Sequence, residues 1–293
     1  MKERSVHFYS AGYKLDGKLY LPDDCKPGEK RPAIIPNSGY MGLNEFYPRL
    51  FAQNLTEAGF VCLGFDYRGF AESEGKPGRV LVDEQVEDIV NAITFLGLQE
   101  EVDPGRIGLI GWAMAAAHVV RVAAADRRVK AVAALNGFFN GERWLRSVHS
   151  YVDFHKLLET VEEDRIRRVT TGSSLLEDPF IHYPLDPATH DVVRQELMPR
   201  PAFGKPVALE FTESLLRMNA EKIAGDISPT PLFVAHGKYN LLHPPEESLS
   251  FFEAAGEPKE WHWIEGKHND FMFQSHPVFQ ELMEKLKRFF SVL

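Results

Sequence analysis

Short apolar runs alternate along the chain with longer stretches whose apolar residues recur at helical spacing. The runs of strand character are Ala33-Ile34-Ile35, Phe60 to Phe65, Arg106 to Ile110, Val129 to Leu135, Pro231 to Ala235 and Glu260 to Ile264. Amphipathic helices are predicted between them, at about 45–58, 82–97, 113–125 and 245–255, with a last one at about 277–291. Continuously apolar strands separated by such helices predict a parallel sheet covered on both faces. Two earlier alternating runs, at about 5–10 and 17–21, suit an antiparallel hairpin at one edge. The expected fold class is α/β.

One interval breaks this rhythm. About 95 residues separate Leu135 from Pro231, and no buried strand is evident among them. They are rich in aromatic residues, among them Phe138, Phe139, Trp144, Tyr151, Phe154, Phe180 and Tyr183. A structureless loop of that length is implausible in a compact domain. The expectation is therefore a core of residues 1–137 and 229–293, with a helical lid or cap inserted over 138–228 above the carboxyl ends of the strands. Phe138, Phe139, Trp144, Tyr151 and Phe154 follow the strand next to the sharpest turn in the chain. They are expected to line an apolar substrate pocket, the alternative being that they pack the insertion's own core.

Composition narrows the class. Of 293 residues, 44% are hydrophobic and 26% charged, which excludes disordered and fibrous proteins. With 42 acidic against 33 basic residues the net charge is −9, so nucleic acid and anionic membranes are not expected partners. The two cysteines, Cys25 and Cys62, cannot make a disulfide framework, and Cys62 sits in an apolar run where an inert thiol is expected. The first residues have no apolar segment, so a cytoplasmic location is expected. Neither metal-ligand spacing nor a glycine-rich phosphate loop is present, and no metal or cofactor is expected. A small molecule is the expected partner, with a homodimer as the oligomeric state to consider.

The chemistry concentrates in three segments. Arg106-Ile107-Gly108-Leu109-Ile110-Gly111-Trp112-Ala113-Met114-Ala115 reads as strand, tight turn and helix without a polar linker. Serine hydrolases carry G-x-S-x-G in this context, with the nucleophile raised above the sheet. Here the sequence is Gly111-x-Ala113-x-Ala115, so alanine stands where the nucleophile would be. After the strand at Pro231, Asn240 occupies the place of the acid that orients a histidine. After the last strand, His268 follows at the place of that histidine, the alternative being a solvated loop residue. Nucleophile position, acid position and histidine come in the order of that hydrolase class.

These segments, with Asp66-Tyr67-Arg68-Gly69-Phe70-Ala71-Glu72-Ser73 and Ser38-Gly39-Tyr40-Met41-Gly42, resemble the α/β-hydrolases, in particular the dienelactone-hydrolase and X-Pro-peptidase-like esterase branch. The resemblance covers about 30–136 and 229–291. It implies an oxyanion hole built from the backbone N–H groups of Met114 and Tyr40, and an enzyme acting on a carbonyl-containing small molecule by ester, lactone, thioester or amide hydrolysis. Alanine at 113 cannot form an acyl-enzyme. Either it replaces a serine, or the protein is naturally degenerate, with His268 as base for lyase, cyclase or isomerase chemistry, or with a pocket that only binds ligand. Asp270, two residues beyond His268, is a second candidate to support that histidine.

Overall fold

A computed structural model describes residues 1–200 and 202–293. Its strands are β1 (Lys2–Ser10), β2 (Tyr13–Leu21), β3 (Arg31–Asn37), β4 (Val61–Phe65), β5 (Val102–Trp112), β6 (Val129–Leu135), the short β7 (Leu176–Glu177) and β8 (Val207–Ala208), β9 (Leu232–Gly237) and β10 (Lys259–Ile264). Eight of them form one sheet in the order β1-β2-β4-β3-β5-β6-β9-β10. β1–β2 and β2–β4 pair antiparallel, and every other neighbouring pair is parallel. The expected edge hairpin is present and longer than its alternation suggests.

The helices are α1 (Tyr47–Glu57), α2 (Val82–Gly97), α3 (Met114–Ala125), α4 (Gly141–Val148), α5 (Tyr151–Thr171), α6 (Pro187–Val192), α7 (Glu210–Arg217), α8 (Pro245–Ala254) and α9 (Pro277–Phe290). They cover both faces of the sheet, so β4 and β9 are buried end to end and β6 everywhere but at Lys130, as their apolar runs require. On one face Phe51 and Leu55 of α1 meet Phe279, Leu282 and Leu286 of α9 over Ile34, Ile110 and Phe233. On the other face Ile89 and Ile93 of α2 and Val119 and Val120 of α3 pack over Ile35, Leu109 and Val132. Arg106 to Ile110 is only the middle of β5, which begins at Val102, where the backbone pairs with Arg31 before a register shift.

The interval between β6 and β9 holds α4 to α7, which lie mainly against the α2–α3 side. It is not wholly helical: β7 and β8, with α6 between them in the chain, pair as a two-stranded antiparallel sheet. Arg68 fastens the α2 side from within. Its guanidinium donates to the buried Asp88 carboxylate at 2.6 and 2.9 Å and to Ser10 at 2.9 Å. Among the described residues no helix is long and apolar enough to cross a membrane.

Candidate active site

β5 runs into α3 through a single residue, Ala113, whose backbone lies at φ 56° and ψ −123°. A side-chain-bearing residue rarely adopts that conformation, and it costs on the order of 1–3 kcal/mol. Packing imposes it. The Ala113 N–H donates to the Leu135 carbonyl of β6 at 2.9 Å, and Gly111 faces the helix so closely that a Cβ there would lie 2.1 Å from the Ala115 oxygen. Ala115, in place of the last glycine of the motif, is fully buried and tolerated.

The segment bearing Tyr40 lies directly over this turn. A Cβ built on Gly39 would sit 3.1 Å from the Ala113 Cβ and 3.0 Å from the Trp112 oxygen. The segment is pinned from below, since Asn44 N donates to the buried Asp66 carboxylate at 2.7 Å and Tyr67 N to the Gly42 oxygen at 2.9 Å. Burial pushes Asp66 up to about 7. Met114 opens α3, so its N–H has no acceptor within the helix and stands at the positive end of the helix dipole. The Tyr40 ring turns away from the turn. It stacks on Phe211 and Tyr183, and its hydroxyl donates to the Pro179 oxygen at 3.0 Å.

Ala113, Tyr40 and His268 share one cavity of about 60 Å³. His268 is buried, 2% exposed, and is not a solvated loop residue. Its ring packs against Trp112 at 4.7 Å and edge-to-face against His243 at 4.7 Å. Nδ1 is buried without a hydrogen-bond partner. Burial, reinforced by His243 and His236, holds the imidazole well below its ordinary pKa, so it is neutral at pH 7.

Asn240 is close by but makes no hydrogen bond to His268. Its Oδ1 accepts from Leu242 N at 3.1 Å and His243 N at 3.0 Å, and its Nδ2 lies 3.3 Å from His236 Nε2. Asp270 is spent on its own turn, accepting from Lys267 N at 2.8 Å. The group that faces His268 is His243, which the sequence motifs did not single out. Its Nδ1–H donates to the Asn136 oxygen at 2.7 Å, and its Nε2 accepts from the Tyr183 hydroxyl at 2.8 Å. Both partners hold one neutral tautomer, and burial pushes the ring's pKa down to about 3.

The five aromatics expected to line the pocket do not line this cavity. Phe138 stacks on Trp144 at 4.3 Å, Trp144 donates its indole N–H to the Leu242 oxygen at 2.9 Å, and Phe139 stacks on Phe251 at 3.8 Å. Phe154 is buried beneath the Arg146 guanidinium, and Tyr151 is 78% exposed. Phe138, Phe139 and Trp144 instead fix the base of the insertion to the core, against His243, Phe251 and the Leu242 oxygen. The cavity walls come from elsewhere: Phe46 and Tyr47 at the start of α1, Trp112, and Phe180, Tyr183, Leu185, Val193, Leu197 and Phe203 of the insertion. Phe180 and Tyr183 stood out as aromatics in the sequence; the i, i+4 pair Val193 and Leu197 was the further signal available.

A strained residue between a central parallel strand and a buried helix, the Gly39–Tyr40 segment packed over it and a histidine after the last strand are the arrangement of an α/β-hydrolase. The chain belongs to the serine aminopeptidase S33 family, whose model matches residues 28–274. An uncharacterized 31.7 kDa protein from the traX-finO intergenic region of Escherichia coli is 35% identical over 146 residues, which are 50% of this chain and 51% of that protein, so the chain spans about half the length of that relative. Thiohydrolase aneE of Aspergillus aculeatus is 28% identical over 294 residues, covering 95% of this chain and 89% of that protein. The crystal structure of the hypothetical protein PA2218 from Pseudomonas aeruginosa matches with a TM-score of 0.84 at 25% identity, covering 98% of this chain and 94% of that one.

Proposed function

We propose that the cavity at Ala113 binds the carbonyl of a small ester, lactone, thioester or amide, and that this chain is a nucleophile-less form of an acyl hydrolase. The observation that carries the reading is the backbone of Ala113, held at φ 56° although alanine gains nothing chemical from it. Such strain persists where the surroundings over-determine a functional geometry. The N–H groups of Met114 and Tyr40 would polarise the carbonyl oxygen, and donors of this kind contribute about 2.7–4 kcal/mol each to a developing oxyanion. Thiohydrolase aneE supports thioesters within that class. With a hydroxyl at 113, its oxygen would attack the carbonyl carbon while His268 takes the proton.

The test is Ala113→Ser exposed to a fluorophosphonate and followed by intact mass. The variant is expected to gain one phosphonyl adduct that the parent does not. A folded variant that stays unlabelled sinks the reading.

A second reading is favoured by Asn240 and by the unpartnered Nδ1 of His268, since neither helps a serine mechanism. In it, neutral His268 takes a proton from the bound substrate directly and the two N–H groups hold an enolate. It requires that the parent chain turn over a carbonyl substrate and that His268→Gln abolish that turnover at unchanged melting temperature.

A further inference from the structure

The cavity at Ala113 is too small for a whole substrate: about 60 Å³, against the 300–1,000 Å³ typical of ligand pockets. A groove of about 520 Å³ opens on the far side of one of its walls. The groove lies between the 69–80 loop and the β7–β8 pair and is lined by Phe70, Pro77, Val80, Leu176, Ala202 and Val207, with Glu72 and Lys205 exposed at its rim. Met41 lines both spaces. Phe203 of the cavity and Ala202 of the groove are chain neighbours on the same partition.

We propose that this groove is the berth of an unbranched aliphatic acyl tail, entered from the cavity past the Met41 side chain. The inference rests on the carbonyl-binding reading above. Met41 directly follows Tyr40, so a carbonyl at the Tyr40 N–H stands one residue from the partition. The backbone at Met41 is fixed, because its oxygen accepts from Ser38 Oγ at 2.9 Å and Leu43 N at 2.7 Å. Its side chain is unbranched, with three rotatable bonds, and is the part able to swing. A second outer cleft, of about 410 Å³, shares Phe46, Tyr47 and Leu197 with the cavity, but Glu45, Arg49, Glu196 and Arg200 line it. An alkyl tail gains by leaving water for an apolar wall, and the Met41 side offers that wall.

The experiment titrates the parent protein with 2-alkanones from four to twelve carbons, read by isothermal titration calorimetry. Kd is expected to fall about fourfold per added methylene until the groove is full. Leu176→Trp and Ala202→Trp should each end that trend at a shorter chain while leaving Kd for the shortest ketones within about twofold. Gln53→Trp, in the charged cleft, should change nothing. An unchanged trend in both groove variants, or a trend lost only in Gln53→Trp, overturns the proposal. Fluorophosphonate labelling of Ala113→Ser separates the two readings. Labelling without chain-length dependence removes the groove alone; a trend truncated at Leu176 without labelling keeps the groove and removes the acyl-hydrolase assignment.

Discussion

The rings of His268 and His243 meet edge to face, with centroids 4.7 Å apart and planes at 86°. That contact brings no charge and no hydrogen bond to the buried Nδ1 of His268. His243 is held in turn by Tyr183, a residue of the inserted segment whose ring also lines the cavity. The insertion therefore takes part in setting the tautomers of the core.

Removing that hold should be costly. Tyr183→Phe leaves the His243 Nε2 lone pair buried and unpaired, which is expected to destabilise the fold by about 1–3 kcal/mol. Denaturant unfolding measures the loss, and imidazole nitrogen shifts report whether the tautomer is still single. An unchanged midpoint would mean that the hydroxyl does not hold this ring.

Ala113→Gly is expected to stabilise the protein by about 1 kcal/mol, because relief of the positive φ exceeds the added chain entropy. The same exchange at Ala116, inside α3, should destabilise by about 1 kcal/mol. Opposite signs at two alanines three residues apart are the signature to look for in paired melting curves.

Trp144→Ala should cost about 3–5 kcal/mol, the usual range for truncating a buried tryptophan. Affinity for a small ketone, measured in the fraction that remains folded, should stay close to the parent's, since Trp144 is not in the cavity wall. A selective loss of binding without loss of stability would put it back in the pocket.

Acid should unfold the chain early. Burial pushes His118 and His243 down to about 3 and His182 and His236 to about 4, and His268 is also lowered. The unfolded chain binds these protons near pH 6.5 and the folded one does not, so stability falls as pH drops through 6.5 toward 4, by up to about 1.4 kcal/mol per pH unit for each group. Asp66 acts in the opposite sense: raised from 3.8 to about 7, it costs stability as pH climbs through that window. Asp66→Asn should therefore gain a few kcal/mol over the parent at pH 8 and little near pH 4, provided the amide oxygen still accepts from Asn44 N. Thermal melts at pH 8, 6 and 4 read both effects.

Much of the frame was legible because strand and helix periods differ and each apolar run kept its own period. The helices at 82–97 and 245–255 emerge within a residue of expectation because their buried faces are regular. The turn at Ala113 was legible from Gly111 and from the abrupt change of period around it. The cavity walls were not. Phe138 to Phe154 are aromatic and close in sequence to β6, yet nearness along the chain says nothing about which side of a loop a ring fills. Phe46 and Tyr47 read as the start of an ordinary helix, and only the folded chain carries Tyr47 onto Trp112 and Phe46 onto Phe203. Asn240 was placed by motif, but its two backbone acceptor bonds and the intrusion of His243 depend on a turn the sequence does not specify.

The row of hydrogen bonds behind His268 runs one way: Tyr183 gives its hydrogen to His243, and His243 gives its own to a peptide oxygen of Asn136, where the row ends. Among the described residues this row does not reach His268, whose Nδ1 has no hydrogen-bond partner, so it offers that ring no proton relay. In the base-catalysed reading proposed above, a hydrogen that His268 lifts from a bound molecule would return to that molecule or pass to water in the cavity. In an isomerisation, a deuterium placed on the substrate would report which path is taken: direct return carries it into the product, and exchange with cavity water washes it out.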